Sequence, residues 1–410
     1  MKLVQTLIVL ALAAFLLPAP GNTADITRRN IRFIDYPNFP EAHSTWGSIG
    51  YSSRYDKVYI AVTNHRDKVG LFEYDIPGDR MRLVGFLPQL VNLRDFQWQG
   101  KVHSQIVEGP DGMMYFATDG GESREEFLMN SPQGYHGGYF FQWDPAAQRL
   151  TNLGNGLLYE SIKDLAVDRI GGKILGVSYP QAHLLLYDHR ANDLRDLGRV
   201  GSDHVPRVFF SDKFGNMYYV DWRQRLVKYE HETGKLLFCP DSLPAFEGTP
   251  GYRVVTGVTA YAEDKASGAI YIVTYSSKLI EYHPAQIGFG RPVDLGGIYE
   301  SDRTPYDFYC PNLALGDNGK LYYFIGGHGS YAVENRTVLM EFDPQTRARR
   351  QVLDFGLEEI NEVTGANVKD RNGSLYFCGR KSDPRARMMG ESGASRPFMI
   401  VFNPQRELVK

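Results

Sequence analysis

The sequence predicts an all-β chain folded as one seven-bladed β-propeller, a single domain. A strand pattern recurs seven times, each copy closes on an aromatic residue followed by a polar one, and each carries a Gly-, Asp- or Asn-rich turn at the same phase. The closing pairs are Tyr74-Asp75, Trp143-Asp144, Tyr187-Asp188, Tyr229-Glu230, Tyr282-His283, Phe342-Asp343 and Phe402-Asn403. Their spacings of 69, 44, 42, 53, 60 and 60 residues suit four-stranded blades with insertions.

The first segment stands outside this pattern. Residues 1–24 begin Met-Lys, run apolar from Leu7 to Leu17 and break at Pro18 and Pro20 before Ala24. That is the layout of a cleavable secretory signal peptide, too short to cross a bilayer. Residues 25–410 are then the propeller, expected to be secreted or periplasmic, monomeric and without a membrane span.

Within each repeat, the turns Tyr55-Asp56, Asp111-Gly112, Gly171-Gly172, Gly215-Asn216, Ser267-Gly268, Asn318-Gly319 and Asn372-Gly373 precede a second strand rich in Tyr and Ile. They are the tight turns that join antiparallel strands. An eighth blade is the alternative, since the segment before Trp46 and the tail after Asn403 could each add a strand. Blades two, six and seven carry extra residues between their second and third strands, at Gly120 to Gly138, Gly326 to Asn335 and Arg380 to Arg396. In a propeller these connections emerge where each innermost strand starts, so the insertions share a face and build a binding face.

Composition narrows the function. With 45 Lys and Arg against 48 Asp and Glu, the formal charge is −3. No basic surplus exists to hold a polyanionic backbone, so no nucleic-acid partner is expected. At 43% hydrophobic and 23% charged the chain is a well-packed one.

Topology brings several chemically able residues to the insertion face near the axis. His103 stands just before the innermost strand of blade two and Arg207 before that of blade four. Tyr179 ends the second strand of blade three, His136 sits in the blade-two insertion, and Tyr275 and His328 end second strands of blades five and six. Together they suit β-elimination beside a uronate carboxylate. Arg207 would neutralise the carboxylate, His103 would remove the C5 proton, and Tyr179 would protonate the departing oxygen. His136 could orient the carboxylate or share the base role, and these roles permute among His103, His136 and Tyr179.

Other readings stand beside this one. His183 and His189 belong on outer blade surfaces. Asp119, Glu122, Glu125 and Glu126 crowd the blade-two insertion, where a hydrolase would keep a carboxylate pair and a solvated loop would look the same. No cofactor is required. Cys310, Cys378 and His328 could hold a structural Zn²⁺, Cys310 and Cys378 could form a disulfide, and two buried free thiols are the default.

The run Lys101-Val102-His103-Ser104 into Glu108-Gly109-Pro110-Asp111-Gly112, then Tyr179-Pro180-Gln181-Ala182-His183, Tyr187-Asp188, Leu197-Gly198-Arg199 and Arg207, resembles secreted seven-bladed propellers that act on uronate-containing glycans. The nearest groups are the L-rhamnose-α-1,4-D-glucuronate lyases and the related β-propeller α-L-rhamnosidases of arabinogalactan breakdown, with ulvan lyases more remote. The lyase resemblance implies His103, Tyr179 and Arg207 as the acid/base and neutralising residues, with His136 and Arg253 as further assignments. The rhamnosidase resemblance implies a single essential His near the mature N-terminus, matched by His43 in Ala42-His43-Ser44-Thr45-Trp46.

The function expected is cleavage of a rhamnosyl-glucuronate linkage in an acidic polysaccharide, by a lyase in preference to a hydrolase because a His, Tyr and Arg set shares the face. Arg253, Tyr275 and His328 are the expected substrate contacts. A non-catalytic glycan-binding propeller is the third reading.

Overall fold

A four-stranded antiparallel sheet with Val, Ile, Tyr and Phe on both faces cannot bury itself, and this chain solves the problem by repetition. The computed structural model describes residues 25–36, 39, 42–64, 68–94, 97–120, 135–200, 208–221, 223–246, 257–300, 310–325, 336–382 and 395–409. These residues form seven antiparallel sheets in a ring. Blade one comprises Ile49–Ser52, Lys57–Thr63, Val69–Asp75 and Arg80–Phe86. Blade three comprises Ser161–Val167, Ile174–Tyr179, His183–Asp188 and Asp193–Arg199, and the remaining blades follow the same order. All seven predicted closing pairs fall at the ends of third strands.

No eighth blade forms. The segment before Trp46 does supply a strand, Ile31–Asp35, but it pairs in register with Ser395–Phe402 as the outermost strand of blade seven. Blade seven therefore takes three strands from the C-terminal end and one from the N-terminal end, and that pairing closes the ring. Residues 1–24 lie outside the described residues. Among those described, no helix is long and apolar enough to cross a membrane.

Among the described residues the hydrophobic core falls into seven large clusters, one at each junction between adjacent blades, and a small one of Trp98 and Tyr135 with Tyr179 packed against it. Second and third strands are packed on both faces, as in Val58 to Val62, where no residue exceeds 2% exposure. Outermost strands meet solvent on one side. The predicted turns carry a second device. Gly215 and Gly373 adopt φ of +80° and +75°, a conformation that Asp56 takes at the equivalent place in blade one. A tyrosine in the following strand then bonds back to the turn, as Tyr218 Oη does to Asp212 at 2.7 Å and Tyr376 Oη to Asp370 at 2.9 Å.

The cysteines stay apart. Cys310 lies in the core between blades five and six, where its thiol donates to the Asn312 carbonyl at 3.1 Å. Cys378 lies between blades seven and one and accepts from Tyr36 Oη at 3.8 Å. Both are free thiols, so the disulfide reading is excluded because different blade junctions hold the two residues. His328 lies outside the described residues, among which no group of His, Cys, Asp or Glu is arranged to hold a metal ion.

Closing the ring through residues 31–35 should dominate its stability. Deleting residues 25–35 leaves the edge of Ser395–Phe402 unpaired and strips Ile31 from the junction of blades six and seven. We expect a loss of at least about 5 kcal/mol in urea unfolding, from lost strand pairing and apolar burial. An unchanged midpoint would show that the ring closes without this strand.

Candidate functional site

The innermost strands converge on the axis, and their ladders are irregular there. In blade two the innermost strand is split into Lys101–Val102 and Val107–Glu108, both paired with Met114–Asp119. Residues 103–106 thus bulge opposite Phe116 and Ala117 alone. His103 therefore lies within the innermost strand rather than before it. Ser104 replaces the missing ladder, its hydroxyl accepting from Ala117 N at 2.8 Å. Glycines in blade one make room for the bulge, since a Cβ on Gly50 would collide with the Ile106 carbonyl and one on Gly47 would come within 2.7 Å of the His103 carbonyl. Register also shifts at Lys163 in blade three, at Thr259 in blade five and over residues 364–366 in blade seven. Bulges re-aim side chains, and here they line one pocket.

That pocket is an open depression at the axial mouth, about 460 Å³ in all with its solvent-exposed entrance. Trp46, His103, Gln105, Asp164, Thr259 and Glu362 line it, and Gly47, Val208 and Thr364 to Ala366 complete the wall. His103 is half-buried, its ring stacked parallel to Trp46 with centroids 6.3 Å apart. Its Nδ1 lies 3.0 Å from the Lys163 carbonyl. A carbonyl can only accept, so this nitrogen carries the proton and Nε2 is the basic nitrogen of the neutral ring.

Buried charge surrounds that histidine. Lys163 Nζ pairs with Asp119 at 2.9 Å, with 7% and 0% of the two side chains exposed. The same ammonium sits 4.6 Å from the centroid of the Tyr179 ring. Lys101, fully buried, places its ammonium 4.6 Å from the Trp46 ring. Across the mouth, Glu362 of blade seven pairs with Arg380 at 2.5 Å. Burying such groups costs several kcal/mol per ion before pairing repays it.

The sequence-predicted residues are distributed as follows. His103 and Tyr179 are brought together through Lys163, whose carbonyl holds one and whose ammonium faces the other. His136 lies on the same face farther along blade two, its Nδ1 2.7 Å from Tyr139 Oη. His43 is only 1% exposed and sits in blade one, its backbone N–H donating to the Thr63 carbonyl. Tyr275 lies just past the second strand of blade five, three blades from His103, with its N–H on the Gly257 carbonyl. Arg207, Arg253 and His328 lie outside the described residues, as do Glu122, Glu125 and Glu126. Asp119 is an ion-pair partner in the core rather than half of a carboxylate pair. His183 bonds Asp196 on the outer strand of its blade, and His189 ties blade three to the Asp111 turn of blade two.

Sequence reasoning missed Lys101, Lys163, Asp164, Glu362 and Arg380. A charge at the centre of an otherwise apolar strand, as in Ser-Ile-Lys-Asp-Leu-Ala-Val, was the available signal. Asp164 accepts from Gln105 N at 2.9 Å, Phe209 N at 2.7 Å and Gln105 Nε2 at 3.2 Å, tying blades two, three and four together at the axis. Burial nevertheless pushes its carboxyl up to about 7. At the far end of the channel, Arg169 of blade three pairs with Glu263 of blade five.

Comparison with protein-family models and with curated proteins found no match. Among solved structures, the chain is similar to the extracellular domain of what is described as a one-component system from B. thetaiotaomicron, at 13% identity and TM-score 0.54. That match covers 90% of this chain and 39% of the other, so this chain spans well under half of that protein's length. It is also similar to U3-55K and to the WD40 repeats of RRP9, each at 11% identity, with TM-scores of 0.54 and 0.53 and coverage of 92% of this chain and 99% of the other. At these identities the likeness is one of fold.

The Asp164 carboxyl makes stability depend on pH. With a folded-state value of about 7 against the ordinary 3.8, the fold binds this proton more tightly than the unfolded chain does. Its contribution is therefore greatest below about 4 and is lost as pH rises toward 7. Asp164→Asn does not titrate but turns an N–H toward a backbone donor, costing about 1–3 kcal/mol. Melts from pH 4 to 8 should show the wild-type advantage over this variant shrinking as pH rises, and a gap that widens would contradict the assignment.

Proposed function

We propose that this chain is an exported enzyme that cleaves the L-rhamnose-α-1,4-D-glucuronate linkage of an arabinogalactan-type acidic polysaccharide by β-elimination at the uronate. The observation that carries the reading is His103, held at the axial mouth in the tautomer whose Nε2 is basic, beside two buried lysines and Tyr179. A uronate presents to such a base an acidic carbon next to its carboxylate.

In this reading the carboxylate enters the pocket, where Lys163 and Lys101 act only at a distance, from behind the rings of Tyr179 and Trp46, and Arg207, the chain neighbour of pocket-lining Val208, is the cation proposed to meet it. Their charge stabilises the negative charge that builds on the carboxylate as the C5–H bond breaks. His103 Nε2 takes the C5 proton. The electron pair left behind forms the C4=C5 double bond, the C4–O bond breaks, and Tyr179 Oη gives its proton to the departing rhamnose oxygen. Rhamnose and an unsaturated uronate result, with no water consumed. His136 stands outside the reacting set and the burial of His43 weighs against its role as the single essential residue of a hydrolase.

Incubation with gum arabic, following free rhamnose and the ultraviolet absorbance of the C4=C5 uronate together, tests this reading. Both should rise, and His103→Ala should lower the rate by about 10²–10⁴-fold, the usual contribution of a positioned general base. Rhamnose without absorbance, lost in His43→Ala, would mean hydrolysis. Binding without release of either product would mean a glycan-binding propeller.

A further inference from the structure

The connection from blade two to blade three carries a feature that the reaction does not use. Leu158 and Tyr159 are 58% and 41% exposed, on the face that holds the axial mouth. Tyr159 has φ of +65°, a strained conformation for a bulky side chain and one held only where the surroundings enforce it. The surroundings are rigid here. Tyr159 N–H donates to the His136 carbonyl at 3.2 Å, and Glu160 N–H to Leu157 at 3.2 Å. The Glu160 carboxylate accepts from Ser178 Oγ at 2.8 Å and Gln181 N at 3.0 Å, fixing the lip to the strand end that bears Tyr179.

We infer that Tyr159 is an outer sugar subsite, stacking a pyranose ring of the same acidic glycan beyond the uronate held at His103; this rests on the function proposed above. Tyr159 lies four residues from Lys163 in the chain, so at most about 14 Å separates it from the carbonyl that holds His103. That is within the reach of a few linked sugars. A pyranose ring has an apolar C–H face and a rim of hydroxyls, which suits an exposed aromatic face with a polar neighbour. His136, whose carbonyl accepts from Tyr159 N–H, is the polar residue next to it. A lip of two exposed residues is far smaller than the roughly 1,000 Å² that a stable protein partner needs.

The test compares kcat/KM on the isolated rhamnosyl-glucuronate disaccharide with that on longer arabinogalactan fragments bearing the same cap. In Tyr159→Ala the long-to-short ratio should fall about five- to tenfold, from lost stacking. Tyr159→Phe keeps the ring and should keep the ratio, and Ile170→Ala, an exposed apolar residue on the opposite face, should leave it unchanged. Thermal melts confirm that each variant is folded. An unchanged ratio in Tyr159→Ala overturns the subsite alone, as does a loss in Tyr159→Phe equal to that in Tyr159→Ala. Failure of the wild-type chain to act on either substrate overturns the parent reading and the subsite with it.

Discussion

Everything in this molecule depends on the closure of a ring of blades that cannot stand alone. Each sheet has two apolar faces, and each face is covered only by the next sheet, so the core exists as seven equivalent junctions with no terminal pair. A stack of this kind must either cap its ends or join them. Here the strand Ile31–Asp35 joins them by completing a blade whose other strands begin at Glu362, more than three hundred residues later. The junctions then hold the innermost strands around the axis whether or not those strands have good ladders of their own.

That freedom is where the site arises. Blades two, three, five and seven give up regular pairing near the axis, and the residues released there face the mouth. The price in lost ladder bonds is partly offset by side chains, as Ser104 does for blade two and Asp164 does for the backbone of residues 105 and 209. The irregularities of the innermost strands lie at the mouth, and the buried charges Lys163, Asp164 and Glu362 lie there with them. Lys228, on the third strand of blade four, shows what a purely structural buried lysine looks like. Its ammonium is enclosed by Glu230 and the carbonyls of Ala285, Gln286 and Gly288 at 2.8–3.2 Å. Lys163 is likewise paired with a buried carboxylate, Asp119, but its ammonium and that of Lys101 also lie over the rings of Tyr179 and Trp46, beside the pocket.

His103 also differs from the other described histidines in how its ring is held. His103 is oriented by a backbone carbonyl from the next blade, so its tautomer is set by the blade junction and does not depend on another titrating group. His136 pairs with a tyrosine hydroxyl, His183 with an exposed aspartate, and His189 with a turn on the far face. A ring that is half-buried and oriented in this way is what the proposed general-base role asks for.

The sequence by itself determined the architecture. Seven closing pairs and seven turns were enough to number the blades, because a propeller repeats one local pattern whose hydrogen bonds and turn conformations are set within about forty residues. It also determined which face carries the insertions, since strand order alone decides that. Tertiary structure decided the rest. Whether the N-terminal segment adds a blade or completes one depends on a pairing across the whole chain, and periodicity carries no information about that. Whether His103 precedes its strand or bulges from it depends on Gly47 and Gly50 of another blade making room. The cluster of Lys101, Asp119 and Lys163 was invisible for the same reason, because sheet pairing sets Lys101 opposite Asp119 and only the packing of blade three on blade two brings Lys163 to them.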